Sequence, residues 1–360
     1  MENLTPYKLN NLPLVYKKDE DLYNLLTEAT EKYTEYKTLL KVFKFNSQMF
    51  LDSLVRNESL RSSRIEGTQI SHEDIYYLDY KEQNDDIQEI NNLKNVLDYA
   101  YSKIKDGSDI NLKLINEMHK KLLNSNRGFN KNPGEIRRKQ NYIGGSFGIT
   151  FVPPSHDEVP LLLNNLFEFA NDKFIEQPLI NLAITHLQFE TIHPYLDGNG
   201  RLGRALIPIQ LAYLKKEQPI LFLSEIIELY KPTYYKTLNE SREGNYLPFI
   251  KFFLQCIIDQ CNANIFKINR VNEIYEEDKK LIEENINGAL ILKIFPYAFS
   301  KVVFSTANII NDLNIQLTSV NKVLNKLVKL NILIKEKKTG TNRITYRYKR
   351  IYEVFVNTYN

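Results

Sequence analysis

His193-Pro194-Tyr195-Leu196-Asp197-Gly198-Asn199-Gly200-Arg201-Leu202-Gly203-Arg204 is the stretch from which the rest of this 360-residue chain is read. It lies between two apolar runs, Leu179 to Ile192 and Leu202 to Leu214, which predict helices. Pro194 disfavours the α conformation at His193, so the first helix is expected to end there. Gly198 and Gly200 permit positive φ and let a ligand approach the backbone. The second helix then begins with unpaired N–H groups and the positive end of its dipole facing the turn, which makes an anion site. Arg201 and Arg204 are three residues apart and share a helix face. Their guanidinium forks suit phosphate oxygens. Asp197 is a hard oxygen ligand, fit for a Mg²⁺ that bridges phosphates. His193 is the nearby group with an ordinary pKa close to neutrality, suited to taking a proton from an attacking hydroxyl.

This stretch resembles the signature of Fic-domain proteins, His-Pro-(Phe/Tyr)-x-(Asp/Glu)-Gly-Asn-Gly-Arg-x-x-Arg, and matches it at every fixed position. The resemblance implies a protein adenylyltransferase, which moves AMP from ATP to a Ser, Thr or Tyr hydroxyl of a protein and releases pyrophosphate. It implies His193 as general base and Asp197 as the Mg²⁺ ligand. Gly198, Asn199 and Gly200 become the anion hole, with Leu202 and Gly203 completing the ATP-binding run. Arg201 serves the α/β-phosphates and Arg204 the γ-phosphate.

A second stretch, Ser62-Ser63-Arg64-Ile65-Glu66-Gly67-Thr68, closes a helix expected over Ser47 to Ser63. An acid near a helix C-terminus opposes the dipole and calls for a partner. The segment resembles the Fic inhibitory motif (Ser/Thr)-x-x-x-Glu-(Gly/Asn), with Ser62 and Glu66-Gly67 at its fixed positions. The resemblance implies that Glu66 pairs with Arg204 and obstructs the γ-phosphate.

Two short β-rich runs about Gly144-Gly145-Ser146-Phe147-Gly148 predict a hairpin. An exposed hairpin edge accepts an extended segment by strand addition. It resembles the Fic flap, which implies target docking on Tyr142, Ile143, Gly144 and Gly145; covering a core is the alternative use. Tyr234-Tyr235 resembles the tyrosine pair near the family's adenine pocket, where Tyr235 would stack on a base. Some relatives carry Asn where this chain has Arg242.

The expected fold is mainly α: a Fic-type helical bundle with a β-hairpin flap, plus a C-terminal winged helix-turn-helix domain. Boundaries are expected at 1–100 for helices carrying the inhibitory motif, 101–284 for the catalytic core and 285–360 for the end domain. In that domain, helices are expected over Ala289–Phe295, Ser305–Leu313 and Val320–Leu330, the last capped by Thr318 or Ser319. Strands follow at 332–334 and 344–348. The third helix carries Asn321, Lys322, Asn325, Lys326 and Lys329.

The charge is uneven. Residues 286–360 hold 12 Lys+Arg against 3 Asp+Glu, and the remainder 35 against 41. A basic end on a mildly acidic body fits DNA contact through residues 286–360, with protein interaction or dimerisation as the alternative. Cys256 and Cys261 form neither a disulfide framework nor a zinc site, and no zinc spacing is completed by His72, His119 or His156. The N-terminus lacks a secretory signal, and no apolar run is long enough to span a bilayer. A reduced cytoplasmic setting without membrane attachment is therefore expected, as monomer or homodimer. The acceptor protein is either another molecule or the chain itself. Removal of AMP, transfer of another phosphate-containing group and DNA-binding regulation are the competing functions.

Overall fold

Apolar residues at helical spacing give helices through most of the chain. The computed structural model describes all residues except 1–4, 44–46, 69–70, 72–74, 78–84, 126–127, 146–147, 338–343 and 357–360. The turn Ser146-Phe147 between the hairpin strands, the wing residues 338–343 and His72 lie outside the described residues. The chain divides into two compact units: Met1–Thr34, Glu58–Gln69 and Asp85–Cys261; then Glu35–Asn57, Ile70–Asn84 and Asn262–Asn360. The helices α1 (Glu20–Lys41), α2 (Ser47–Ile65) and α10 (Leu247–Asn285) contribute residues to both.

The first unit also holds α3 (Asp85–Lys105), α4 (Leu112–Leu122), α5 (Val159–Ala170), α6 (Pro178–Ile192), α7 (Asn199–Lys215), α8 (Ser224–Leu229) and α9 (Lys231–Arg242). Its centre is α6, buried at every residue from Leu179 to Ile192. A helix buried on all sides must satisfy its polar groups internally. Accordingly, Gln210 Nε2 donates to Asn181 Oδ1 at 2.6 Å and to Thr185 Oγ1 at 3.0 Å. The hairpin forms as expected from β1 (Ile143–Gly145) and β2 (Gly148–Phe151), antiparallel, with Ile143 opposite Phe151 and an irregularity before Gly144.

In the second unit, α11 (Ile291–Lys301), α12 (Thr306–Leu313) and α13 (Leu317–Lys329) precede α14 (Lys349–Val356). The sheet orders β3 (Val303–Ser305), β5 (Thr345–Tyr348) and β4 (Leu333–Glu336), antiparallel throughout. The expected cap of α12 is present: Ser305 and Asn308 form a capping box. Three details differ from expectation. First, α11 begins later and continues through Pro296, because Tyr297, Ala298 and Phe299 bury their side chains and outweigh the proline's lost hydrogen bond. Second, α13 begins at Leu317, not Val320; the Ser319 and Val320 N–H groups already donate to Gln316 O, so Thr318 and Ser319 lie inside the first turn. Third, β3 is an addition to the expected strands, since three wholly buried residues show no alternation.

Candidate active site

Between α6 and α7 the backbone does what the glycines and proline require. His193 ends α6 in the left-handed region at φ 49°, with its N–H donating to Phe189 O at 3.0 Å. Gly198 is the N-cap of α7 at φ 74°. Gly200 is different: it is helical, and what it supplies is space, not positive φ. A Cβ there would lie 2.3 Å from Glu66 Oε1. The first-turn donors of α7 are the N–H groups of Asn199, Gly200 and Arg201.

The loop is held by side chains hydrogen-bonded to its backbone. Asn199 Oδ1 accepts from Tyr195 N, and its Nδ2 donates to Tyr195 O, both at 2.8 Å. Only its backbone is therefore available to an anion. Asp197 Oδ1 accepts from Gly198 N at 2.6 Å. His119 stacks on Tyr195 at 3.8 Å and bonds Asp197 O through Nε2 at 3.0 Å. Since His119 Nδ1 accepts from Gly134 N at 2.8 Å, the ring proton is placed on Nε2. Burial lowers the His119 pKa to about 4. Arg137 covers the C-terminus of α6, where a cation belongs. It donates to His193 O at 3.0 Å, Ile192 O at 3.3 Å, Pro154 O at 2.5 Å and Lys139 O at 3.3 Å.

A cavity of about 400 Å³ opens over this loop, lined by Glu66, Glu89, His193, Asp197 and Gly198 to Arg201 among others. Burial first, then the Arg242 charge, lowers the His193 pKa to about 4, so the imidazole is neutral. With Nδ1 facing Glu190 O at 3.4 Å, the lone pair falls on Nε2. Glu190 lies behind, wholly buried, its pKa raised to about 7 by desolvation.

Glu66 and Ser62 both reach Arg204. Gly67, at φ 101°, closes α2, and Glu66 N–H donates to Ser63 O at 3.1 Å. Arg204, 2% exposed, donates Nε to Ser62 Oγ at 2.9 Å, and Nη2 to Ser62 O at 2.9 Å and Glu66 Oε1 at 2.7 Å. Burial raises the Glu66 pKa, but the Arg204 charge and hydrogen bond outweigh it and hold the carboxyl below its ordinary value. The last turns of α2 are bolted to α8: Glu58 accepts from Ser224 N and Oγ, and Arg61 pairs with Glu228 at 2.8 Å. Arg201 meets Glu89 at 2.9 Å.

Not every expected residue converges. Leu202 is fully buried in the bundle, and Gly203 packs its Cα against Glu190. Arg204 stands behind Glu66 and does not line the cavity. Tyr235 is 41% exposed beside Tyr234, outside the cavity lining. Tyr142 is exposed, and neither it nor Ile143 and Gly144 line the cavity; the surroundings of Gly145 lie outside what the structure describes. Arg242 lies over the Phe151 ring at 3.8 Å. Sequence reasoning missed Arg137, His119, Glu89 and Glu190. Glu89, His119 and Arg137 have partners distant in sequence, 112 residues away for Glu89, 78 for His119 and 56 for Arg137 at His193, and the burial of Glu190 comes from the assembled bundle.

Residues 109–211 match the Fic/DOC family and residues 23–102 match the Fic/DOC family N-terminal region, together half of the chain. The chain belongs to the Fic/DOC family. Among curated proteins, this Fic chain is 30% identical over 175 residues to a protein adenylyltransferase Fic of Aedes aegypti. That match covers 48% of this chain and 33% of the mosquito protein. The namesake of Drosophila virilis is 24% identical over 215 residues, covering 59% of this chain and 41% of its own length. The chain therefore spans well under two thirds of the curated relatives it matches. Its fold is that of a Fic family protein from Desulfovibrio desulfuricans G20, with TM-score 0.62 and 20% identity over 93% of this chain and 98% of that one. A second structure, Fic-1 (residues 134–508) of C. elegans, superposes with TM-score 0.53 at 18% identity over 69% and 73%.

Proposed function

We propose that this Fic protein is a nucleotidyltransferase that moves AMP from ATP to a hydroxyl of a protein, another molecule or itself. The observation that carries the reading is the convergence of His193, Asp197 and the open first turn of α7 on one cavity. The triphosphate lies on the N–H groups of Asn199, Gly200 and Arg201, with Arg201 and Arg204 as its cationic partners. His193 Nε2 takes the proton of the acceptor hydroxyl as that oxygen bonds to the α-phosphorus. The bond to the β-phosphate oxygen breaks, and pyrophosphate leaves. The donor set fits Mg²⁺: Asp197 offers one carboxylate beside a phosphate cradle, and this ion keeps few protein ligands. When bound, it would neutralise phosphate charge.

Glu66 is the brake in this proposal. Its carboxylate sits on the Gly200 Cα and on Arg204, where phosphate oxygens would lie. Incubation with α-labelled ATP and Mg²⁺ tests both points. Label is expected to be weak with wild type, strong with Glu66→Gly and absent with His193→Ala. Unchanged transfer in Glu66→Gly, with normal ATP binding, would remove the inhibitory role. Absence of label throughout would favour AMP removal or another transferred group.

For residues 285–360 we infer a winged-helix domain that contacts DNA. The outer face of α13 presents Thr318, Lys322, Asn325 and Lys329 at one-turn spacing, all exposed. From Leu313 to Tyr352 there are ten Lys or Arg and one acid, Glu336. A duplex-DNA gel shift should weaken steeply with salt and be lost in a Lys322→Glu/Lys326→Glu/Lys329→Glu variant. A shift indifferent to both would leave protein interaction as the use of this face.

A further inference from the structure

Both motif arginines are held by carboxylates, and the carboxylates come from different helices. Glu66, just past α2, takes Arg204. Glu89, near the start of α3, takes Arg201, and the two side chains are only 9% and 12% exposed. Glu89 lines the same cavity as Glu66, His193 and Asp197, so its carboxylate occupies space open to a nucleotide.

A permanent structural bridge this deep is expected to satisfy the guanidinium fully, through two parallel hydrogen bonds. The Arg201–Glu89 pair does not. One bond is made, Nη1 to Glu89 Oε2 at 2.9 Å, and Arg201 Nε is left buried with no hydrogen-bond partner among the described residues. A buried donor without a partner is costly, and a phosphate group with several oxygens would engage Nε together with the neighbouring Nη2. Arg201 also lies in the first turn of α7, beside the free N–H groups, whereas Arg204 lies one turn deeper. The resident carboxylate therefore fills the fork incompletely at the place where an oxyanion is favoured.

We propose that Glu89 is a second inhibitory carboxylate, acting on Arg201 as Glu66 acts on Arg204, and that ATP enters only when both are displaced. This rests on the reading of the cavity as an ATP site. The two brakes answer to different parts of the ligand. Glu89 competes with the phosphates nearest the helix start, which ADP and ATP share. Glu66 competes with the terminal phosphate, which ADP lacks.

The experiment is a calorimetric titration of the full chain with Mg·ADP and Mg·ATP, for wild type, Glu89→Gln, Glu66→Gly and the double variant, alongside α-labelled ATP transfer. Glu89→Gln should tighten ADP and ATP by similar factors, on the order of tenfold. Glu66→Gly should tighten ATP more than ADP. The double variant should label faster than Glu66→Gly alone. Glu89→Asp, which keeps the charge and shortens the reach by one methylene, should move affinities in the same direction, and a melting curve for each variant confirms folding. Weaker or unchanged ADP binding in folded Glu89→Gln would overturn the proposal and make Glu89 a residue that positions Arg201. Failure of the ATP-site reading looks different: no variant would then bind either nucleotide or acquire label.

Discussion

Several single residues here hold protonation states that free side chains would not. With its pKa near 4, His193, the base of the proposed reaction, is neutral throughout the neutral range. Label transfer by Glu66→Gly should thus stay level from pH 8 to about pH 5.5, whereas a histidine of ordinary pKa would lose half its activity near pH 6.5. Removing Glu66 takes away a charge that raises the His193 pKa, so the variant does not shift the plateau toward neutrality. Stability carries the same signature. His119, His186 and His193 are all depressed, to about 4, 3 and 4, by burial first. The unfolded chain binds protons at pH values where the folded chain does not, so the melting temperature should fall as pH drops from 6.5 toward 4. Glu190 has the opposite sign. Its raised pKa gives a contribution fully present below its unfolded value and lost as pH rises through 7. Glu190→Gln should therefore raise the melting temperature more at pH 8 than at pH 5, read by calorimetry. None of these shifts was legible in the sequence, because burial is a property of the assembled bundle. By spacing alone His119 can be tested only as a zinc ligand, and its role in holding the Asp197 carbonyl depends on Tyr195 and Gly134 arriving from elsewhere.

At the scale of elements, the sequence was most legible where local chemistry decides the outcome. Pro194 and Gly198 mark the end of α6 and the start of α7, and both stand where those residues place them. The hairpin follows from its glycines and β-branched residues. Legibility failed where packing overrides local preference, as in α11, which runs through Pro296 to keep Phe299 buried. The tie between α6 and the base of the hairpin was also invisible, since it hangs on Arg137, which bonds carbonyls of Ile192, His193, Pro154 and Lys139. Arg137→Ala strips the C-terminus of α6 of a charged donor set and leaves those carbonyls to water or to nothing. It should cost about 2–4 kcal/mol in a denaturant titration, from charge-assisted bonds of about 1.5–3 kcal/mol each, partly replaced by water. In folded Arg137→Lys, turnover of the Glu66→Gly background should fall more than its KM for ATP changes, because His193 loses its anchor while the α7 donors remain.

For the molecule as a whole, charge is unevenly spread along the chain, and the end unit carries it on surfaces that its own ion pairs do not use. Arg347 is engaged with Glu336, and Arg350 with Glu277 and Asp278. Lys322, Lys326 and Lys329 point outward on α13. A cation-exchange column at pH 8 should retain wild type to higher salt than the triple Lys→Glu variant, by far more than a sequence pI near 8.5 suggests for an even distribution. The whole molecule is also the unit on which selection acts, and Gly200 constrains what selection can find. Its bare Cα receives the Glu66 carboxylate, and on the proposed reading it receives phosphate oxygens once that carboxylate is displaced. Any side chain at 200 evicts both. On the proposed reading, regulation can be lost without activity at position 66, whereas at position 200 the two are lost together. On the proposed reading, a genetic screen for constitutive AMP transfer should return substitutions at Glu66 and Glu89 and none at Gly200, so the mutational route from a restrained enzyme to an unrestrained one passes through the α2 terminus and the start of α3 and never through Gly200.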